Sequence, residues 1–549
     1  MRTILTFILF SLFSLSVSSQ AQKPVENKAT TFRPKLVVGI VVDQMRWDYL
    51  YRYTGRYQST GGFKRILAQG FSCENAFIPY APTVTACGHT CIYTGSVPAI
   101  NGITGNSWWD NNLMKYVYCA EDKEAKTVGA EGTAGEMSPR NVLTTTICDE
   151  LRLGTNFNSK VIVIAIKDRG AILPAGHSAN AAYWYDGKSG KWISSTYYMN
   201  DLPQWVKDFN GRKLQNQYYN QGWNTLYPLN AYLQSTEDEK DYEFKVFGAE
   251  AKGFPYNLKK FIDKNFGVIA STPFGNTFTL EMAKSALINE QLGNDEATDF
   301  LAISLSSTDY VGHSFGPNSI EAADTYLRLD KDLGDFLNFL DEKVGKGQYL
   351  LFLSADHGVA HVPAFLKEHK IPAGAIDEER LNRELTLLMK NKFGTDKVIV
   401  RSMNYQVFLN HLIIDSLKLD EAAISKTIIN YLQTKEGISR VVNLHDLARE
   451  PLNKMQKDMF TNGYFPRRSG DIQIIFDPQW IDGSYTGTTH GSWNPYDAHI
   501  PLLWYGWNVK SGKTNRQVYM TDIAATIAAM LKIQMPSGCV GSVIEELMK

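Results

Sequence analysis

The chain has 549 residues, 44% of them hydrophobic and 21% charged, and its 56 basic residues nearly cancel its 57 acidic ones. At about 150 residues per domain this length holds three or four domains, or one large α/β domain with insertions. A core of that size needs no disulfide or metal staple. The charge balance excludes a polycationic nucleic-acid binder held by bulk charge. An aromatic content of 12% excludes a disordered chain.

Met1-Arg2 places a positive charge before Ile4–Val17, which is apolar apart from Thr and Ser, and Ser19-Gln20-Ala21 offers small residues for cleavage. The apolar run has 14 residues, short of the about 20 that cross a bilayer. Residues 1–21 therefore read as an export signal. No later stretch is apolar enough to span, so the mature protein is expected to be soluble and periplasmic, or secreted further. Export permits disulfides, but the six cysteines (Cys73, Cys87, Cys91, Cys119, Cys148 and Cys539) form no CxxC. Their spacing selects no pairing.

Lys35–Val42 is a continuous β-branched run, the pattern of a strand buried on both faces of a parallel sheet. Similar runs recur at Val161–Ile166, Phe300–Leu305, Tyr349–Leu353 and Ile500–Tyr505. Helical patterns lie between or after them at Thr279–Asn289, Ala322–Leu340 and Thr521–Leu531. The alternation predicts an α/β sheet covered by helices. Two segments interrupt it. Residues 180–275, rich in Tyr, Trp, Asn and Gly, read as an elaborated insertion, and 367–485 read as a smaller α+β lobe with strands near Lys397–Arg401 and Asp471–Phe476.

Acids follow the ends of these strands: Asp43 after the first, Asp309 after Phe300–Leu305, and Asp356-His357 after Tyr349–Leu353. Open α/β sheets bind ligands outside the carboxyl ends of their strands. One such Asp is an ordinary turn residue; three predict a shared site. Asp309 and His313 are four apart, so one helical turn aims both side chains together. His490 lies in the Gly-rich segment Gly487–Trp493. Singly, each pattern is common in proteins without metal. Together, mixed His and Asp ligands without Cys suit a catalytic cation such as Zn²⁺. The remaining histidines (His89, His177, His361, His369, His411, His445 and His499) lack this context and read as structural or exposed.

Pro82-Thr83-Val84-Thr85 precedes a short predicted helix, Ala86–Thr94, ended by Gly95. A hydroxyl there faces the positive helix end, where free N–H groups hold phosphate oxygens. Metal coordination would turn this poor nucleophile into an alkoxide. From this segment alone an N-cap role is the better account of Thr85. Lys167 and Arg169 are two apart, so an extended segment would present both on one face as a cationic clamp, or as a solvated pair.

The Pro-Thr-x-Thr85 motif, followed by Asn106 in Gly102-Ile-Thr-Gly-Asn106, resembles the alkaline phosphatase superfamily. Asp43, Asp309/His313, Asp356/His357 and His490 fall in its ligand order. Lys167-Asp-Arg169-Gly170 narrows the resemblance to the PafA-type periplasmic enzymes. It covers nearly the whole mature chain, so residues 22–549 are expected to form one alkaline-phosphatase-like catalytic domain with the two insertions. Cys87 departs from the pattern, since relatives often carry Pro there.

The resemblance implies two zinc ions, one held by Asp309, His313 and His490. The other would be held by Asp43, Asp356 and His357, with Thr85 coordinating it. It also implies that Asn106, Lys167 and Arg169 bind the phosphoryl oxygens. The expected activity is hydrolysis of a broad range of phosphate monoesters through a phosphothreonine, releasing inorganic phosphate, by a monomer with an alkaline optimum. A nucleotide pyrophosphatase/phosphodiesterase shares the Thr, the Asn and all six ligands, and is the alternative. A sulfatase lacks support, because no C-x-P-x-R or S-x-P-x-R motif occurs at the nucleophile. A cofactor-independent phosphoglycerate mutase would use Ser, and a silent binding protein is disfavoured because every site position is filled.

Overall fold

A computed structural model describes residues 33–548; the expected export signal, residues 1–21, lies outside them. Five parallel strands form the middle of a ten-stranded sheet, in the order Tyr349–Ser354, Leu36–Val42, Asp299–Leu305, Val161–Ala165 and Ala181–Asp186. The first four of these are buried along their whole length. That is the burial their unbroken aliphatic runs require. One group of helices over the sheet comprises Gly62–Gln69, Phe274–Asn289 and Ile320–Leu340, and another comprises Thr85–Thr94, Asp168–Ala175 and Asp522–Leu531. Among the described residues no helix is long and apolar enough to cross a membrane.

The register decides where the site forms. Leu36 lies opposite both Asp299 and Tyr349, so the carboxyl ends of three central strands are level. The residues that follow them emerge along one edge.

The run predicted as one strand, Ile500–Tyr505, is two. His499–Ile500 pairs with Ala76–Phe77, and Leu502–Gly506 enters the main sheet antiparallel to Tyr349–Ser354. Pro501 separates them, because it has no N–H to give a ladder. In the region 180–275, Ala181–Asp186 and Lys191–Ser195 extend the main sheet. The remainder packs through Trp223, Phe254 and Tyr256, with Trp223 Nε1 donating to Asp324 at 2.8 Å.

Within 367–485 a separate antiparallel sheet has the order Ile399–Met403, Gln406–Leu409, Ile472–Phe476 and Ile438–Asn443. Helices Glu378–Phe393 and Glu421–Leu432 cover it, and Leu385, Met389, Ile424, Ile428 and Ile474 form its own core.

Candidate active site

Four adjacent strands deliver the site. Asp356, Asp43, Asp309 and Lys167 follow the carboxyl ends of Tyr349–Ser354, Leu36–Val42, Asp299–Leu305 and Val161–Ala165. Asp309 and His313 lie one turn apart on the helix Ser307–Phe315. The structure brings together two groups of three, Asp309/His313/His490 and Asp43/Asp356/His357, each with its ligand atoms within 4.8 Å of one another. The rings of His357 and His490, one from each group, stack with centroids 3.4 Å apart, so the groups form one site.

Each imidazole is oriented in the same way. The Nδ1 of His313 lies 2.7 Å from the Thr488 carbonyl, that of His490 2.7 Å from the Thr83 carbonyl, and that of His357 3.0 Å from the Gly358 carbonyl. A backbone carbonyl only accepts, so each Nδ1 carries the proton and each Nε2 keeps its lone pair. All three Nε2 atoms face carboxylates: His313 lies 3.1 Å and His490 3.7 Å from Asp309, and His357 lies 3.5 Å from Asp43. Asp43 Oδ1 and Asp356 Oδ2 are buried and accept no hydrogen bond. Burial, then the neighbouring Asp356 charge, pushes the Asp43 carboxyl well up, and Lys167 only partly opposes them. Three buried carboxylates with lone pairs to spare and three inward Nε2 atoms fit two cations. Each group supplies three protein ligands and leaves a position for a reacting oxygen.

Thr85 is the first residue of its helix, and Val84 occupies the cap without a side-chain cap bond. The Thr85 hydroxyl is therefore not used in capping; it lies 3.4 Å from His357 Nε2 and 3.4 Å from Lys167 Nζ. The Asn106 carbonyl oxygen accepts the Ala86 N–H at 2.9 Å, leaving its amide nitrogen to donate elsewhere. Lys167 and Arg169 do not share the face of an extended segment. Lys167 is the N-cap and Arg169 lies in the first turn of Asp168–Ala175, so a helix start and not a strand sets the pair; both charges still act on the Tyr310 hydroxyl. The Lys167 ammonium sits 2.6 Å from Asp309 and 2.7 Å from Asp43, one carboxylate from each group. Arg169 approaches the Tyr118 hydroxyl at 3.4 Å, and that hydroxyl donates to Asp168 at 2.6 Å.

Two residues escaped the reading of the sequence. The Gln44 N–H donates to Asp356 at 3.1 Å, and its amide nitrogen donates to Asp309 at 2.8 Å, so one residue bridges the groups. Gln44 has φ +64°, and Gly312 admits its side chain where any Cβ would overlap the amide oxygen. His89 is fully buried, with Nδ1 3.0 Å from the Thr85 carbonyl and 3.3 Å from Asp356, and Nε2 2.8 Å from Ser304. Its spacing of four from Thr85 within one helix was the available signal. Cys87 is buried and its thiol lies 3.1 Å from the Ile103 carbonyl. All six cysteines are free thiols.

This chain belongs to the type I phosphodiesterase / nucleotide pyrophosphatase family, which it matches over residues 37–497. Among its relatives, alkaline phosphatase PhoV of Synechococcus elongatus is 53% identical over 100% of this chain and 99% of that one. A Myroides odoratus protein named a calcium-transporting ATPase is 54% identical over 94% of each chain. Alkaline phosphatase PafA of Elizabethkingia meningoseptica is 49% identical over 94% of each chain. A crystal structure of alkaline phosphatase PafA superimposes with a TM-score of 0.92, covering 94% of this chain and 99% of that one. The fold is thus alkaline-phosphatase-like, a large, mostly parallel central sheet with flanking helices.

Proposed function

We propose that the chain is an exported alkaline phosphatase that hydrolyses phosphate monoesters of broad range through a phosphothreonine at Thr85 and releases inorganic phosphate. The observation that carries this reading is the Lys167 ammonium, 3.4 Å from the Thr85 hydroxyl between two buried ligand groups. A monoester dianion has one more negative charge than a diester anion, and an added cation beside the nucleophile favours it. The high identity to PhoV and PafA points the same way.

In this proposal Asp309, His313 and His490 would hold one Zn²⁺ and Asp43, Asp356 and His357 the other, supplying Lewis acidity for the nucleophile and for the leaving oxygen. Thr85 Oγ1, giving up its proton, forms a bond to phosphorus as the P–O bond to the alcohol breaks, and the departing oxygen takes a proton to leave as the alcohol. Water then cleaves the phosphothreonine, restoring the hydroxyl. Asn106 donates to one non-bridging oxygen, with its amide orientation fixed by the Ala86 N–H. Lys167 balances charge on the others, and Arg169, steadied by Tyr118, completes the clamp. Catalysis of phosphoryl transfer is mainly positioning and charge stabilisation, which these groups provide. Export to the periplasm is supported by Arg2 and the apolar run Ile4–Val17.

The test is kcat/KM for a phosphate monoester against its methyl diester, with Lys167→Ala and Arg169→Ala beside the parent. Strong preference for the monoester, lost in both variants, is the expected result. A parent that prefers the diester would make the chain a phosphodiesterase of the family it belongs to.

A further inference from the structure

One short turn of the smaller lobe meets both the segment that carries Asn106 and the backbone of His490. Met403 pairs with Gln406, so Asn404-Tyr405 is a two-residue hairpin loop. Both residues have positive φ, +55° and +63°, the pattern of a type I′ turn, in which Gly is usual at the second position. Asn tolerates this region, whereas a bulky Tyr there is an outlier. Strain of this kind persists where the surroundings hold it, and it gathers at functional sites.

The surroundings here are the site itself. The Asn404 amide donates to the Ser107 carbonyl at 2.8 Å, one residue beyond Asn106. The Tyr405 hydroxyl donates to the His490 carbonyl at 3.1 Å. Both contact surfaces are cut to fit. A Cβ at Gly105 would lie 2.5 Å from the Asn404 amide nitrogen, and one at Gly491 would lie 2.6 Å from the Tyr405 ring. A second grip comes from Arg468 of the lobe, whose guanidinium donates to the Gly102 carbonyl at 2.5 Å while its own carbonyl accepts the Thr104 hydroxyl at 3.0 Å. The segment carrying Asn106 is thus held from the lobe at Gly102, Thr104 and Ser107. The hairpin is anchored in turn, since the Tyr405 carbonyl accepts the Ile474 N–H at 2.8 Å and the Gln473 amide at 3.0 Å.

We infer that the hairpin tip Asn404-Tyr405 is a positioning device of the lobe, setting Asn106 and His490 relative to Thr85. Neither residue reaches the reacting atoms. Asn404 acts through the segment that carries Asn106. Tyr405 acts through the backbone of His490, whose ring is fixed from the other side by the Thr83 carbonyl. A lobe that served only as an appendage would not need a strained turn to meet two site segments. The inference rests on the roles proposed above for Asn106 and His490.

Two conservative variants test it. Tyr405→Phe keeps the ring and loses the hydroxyl. Asn404→Asp keeps the shape and the tolerance of positive φ, but a carboxylate cannot donate to Ser107. Each is expected to lower kcat/KM for an aryl phosphate about tenfold, the lower end of what loss of a supporting hydrogen bond does at a metal site, with an unchanged melting temperature. The two should then part company in binding. Tyr405→Phe should lose zinc faster on dialysis, whereas Asn404→Asp should keep its zinc and bind inorganic phosphate more weakly. Parent values of kcat/KM in both variants, or losses that merely track a falling melting temperature, would overturn the inference. A parent with no monoester hydrolysis would instead overturn the proposed function, and zinc retention and phosphate binding would still test the hairpin.

Discussion

Two clusters of histidine and carboxylate in this molecule contrast in how they use their lone pairs. In the lobe, His411 Nε2 and His445 Nε2 both lie 2.9 Å from the same oxygen of Asp471. Their other nitrogens are also engaged, His411 Nδ1 with Glu421 at 3.2 Å and His445 Nδ1 with the Tyr464 hydroxyl at 3.1 Å. Every ring nitrogen there has a partner, and the cluster is a closed ion-pair network. At the sheet edge, the three histidines spend only Nδ1 on backbone carbonyls, and buried carboxylate oxygens stay without hydrogen bonds. The same residue types make a structural tie in one place and a cation receptacle in the other. Which nitrogen is occupied, and by what, decides the role.

The contrast is broken most directly at Thr85, the proposed nucleophile. Thr85→Ala is expected to lower kcat/KM for an aryl phosphate by at least about 10⁴-fold, as removal of a covalent nucleophile does. Asp471→Asn should leave kcat/KM near the parent value, and an equal loss in the two would erase the distinction.

Metal removal comes next. Dialysis against a chelator should abolish turnover and lower the melting temperature, because ligands bound only by the folded state stabilise it. Zinc should restore both. Metal analysis should give two Zn²⁺ per chain in the parent and in a His411→Gln/His445→Gln variant alike; a lower content in that variant would make the lobe cluster a metal site.

A smaller effect is expected at Gln44. Gln44→Met keeps the length of the side chain and removes the donor to Asp309. A loss of about 10-fold to 100-fold in zinc affinity is the scale for such outer partners. Unchanged affinity and turnover would reduce Gln44 to a packing residue.

The smallest effect belongs to the lobe. The hydrogen bond that His411 donates to Asp471, against the opposing effect of burial, raises His411 to about 9 from its ordinary 6.5. A raised imidazole stabilises the fold fully below about 6.5, and that contribution is lost as pH rises through about 9. Solvent screens the partly exposed His411, although Asp471 is buried, so the change should stay within about 1 kcal/mol. Denaturant unfolding at pH 6 and pH 10 should show the difference in the parent and lose it in Asp471→Asn. An NMR titration placing His411 near 6.5 would remove the effect altogether.

The main strands and the acids behind them are legible because continuous aliphatic runs call for burial in a parallel sheet, and three acids at the ends of such runs are hard to explain as turn residues. The sequence misread the backbone that carries Lys167 and Arg169, because a spacing of two suits a strand while the helix begins at Asp168. It also missed Gln44, half of whose contribution is a backbone N–H that every residue other than proline possesses. His411 and His445 were set aside for want of context, and the structure supplies that context as Asp471 and Glu421.

The sequence by itself determined that the protein is a large, sheet-centred enzyme and which family pattern its acids and histidines follow. Those follow from residue type and spacing along one chain. Only the tertiary structure decided that Gln44 ties one ligand group to the other, that each site histidine turns Nε2 inward, and that a turn from the lobe meets Ser107 and His490. Apart from His357 with its neighbour Gly358, those contacts join residues tens to hundreds of positions apart, and their donors and acceptors become specific only when the folded backbone fixes direction as well as distance.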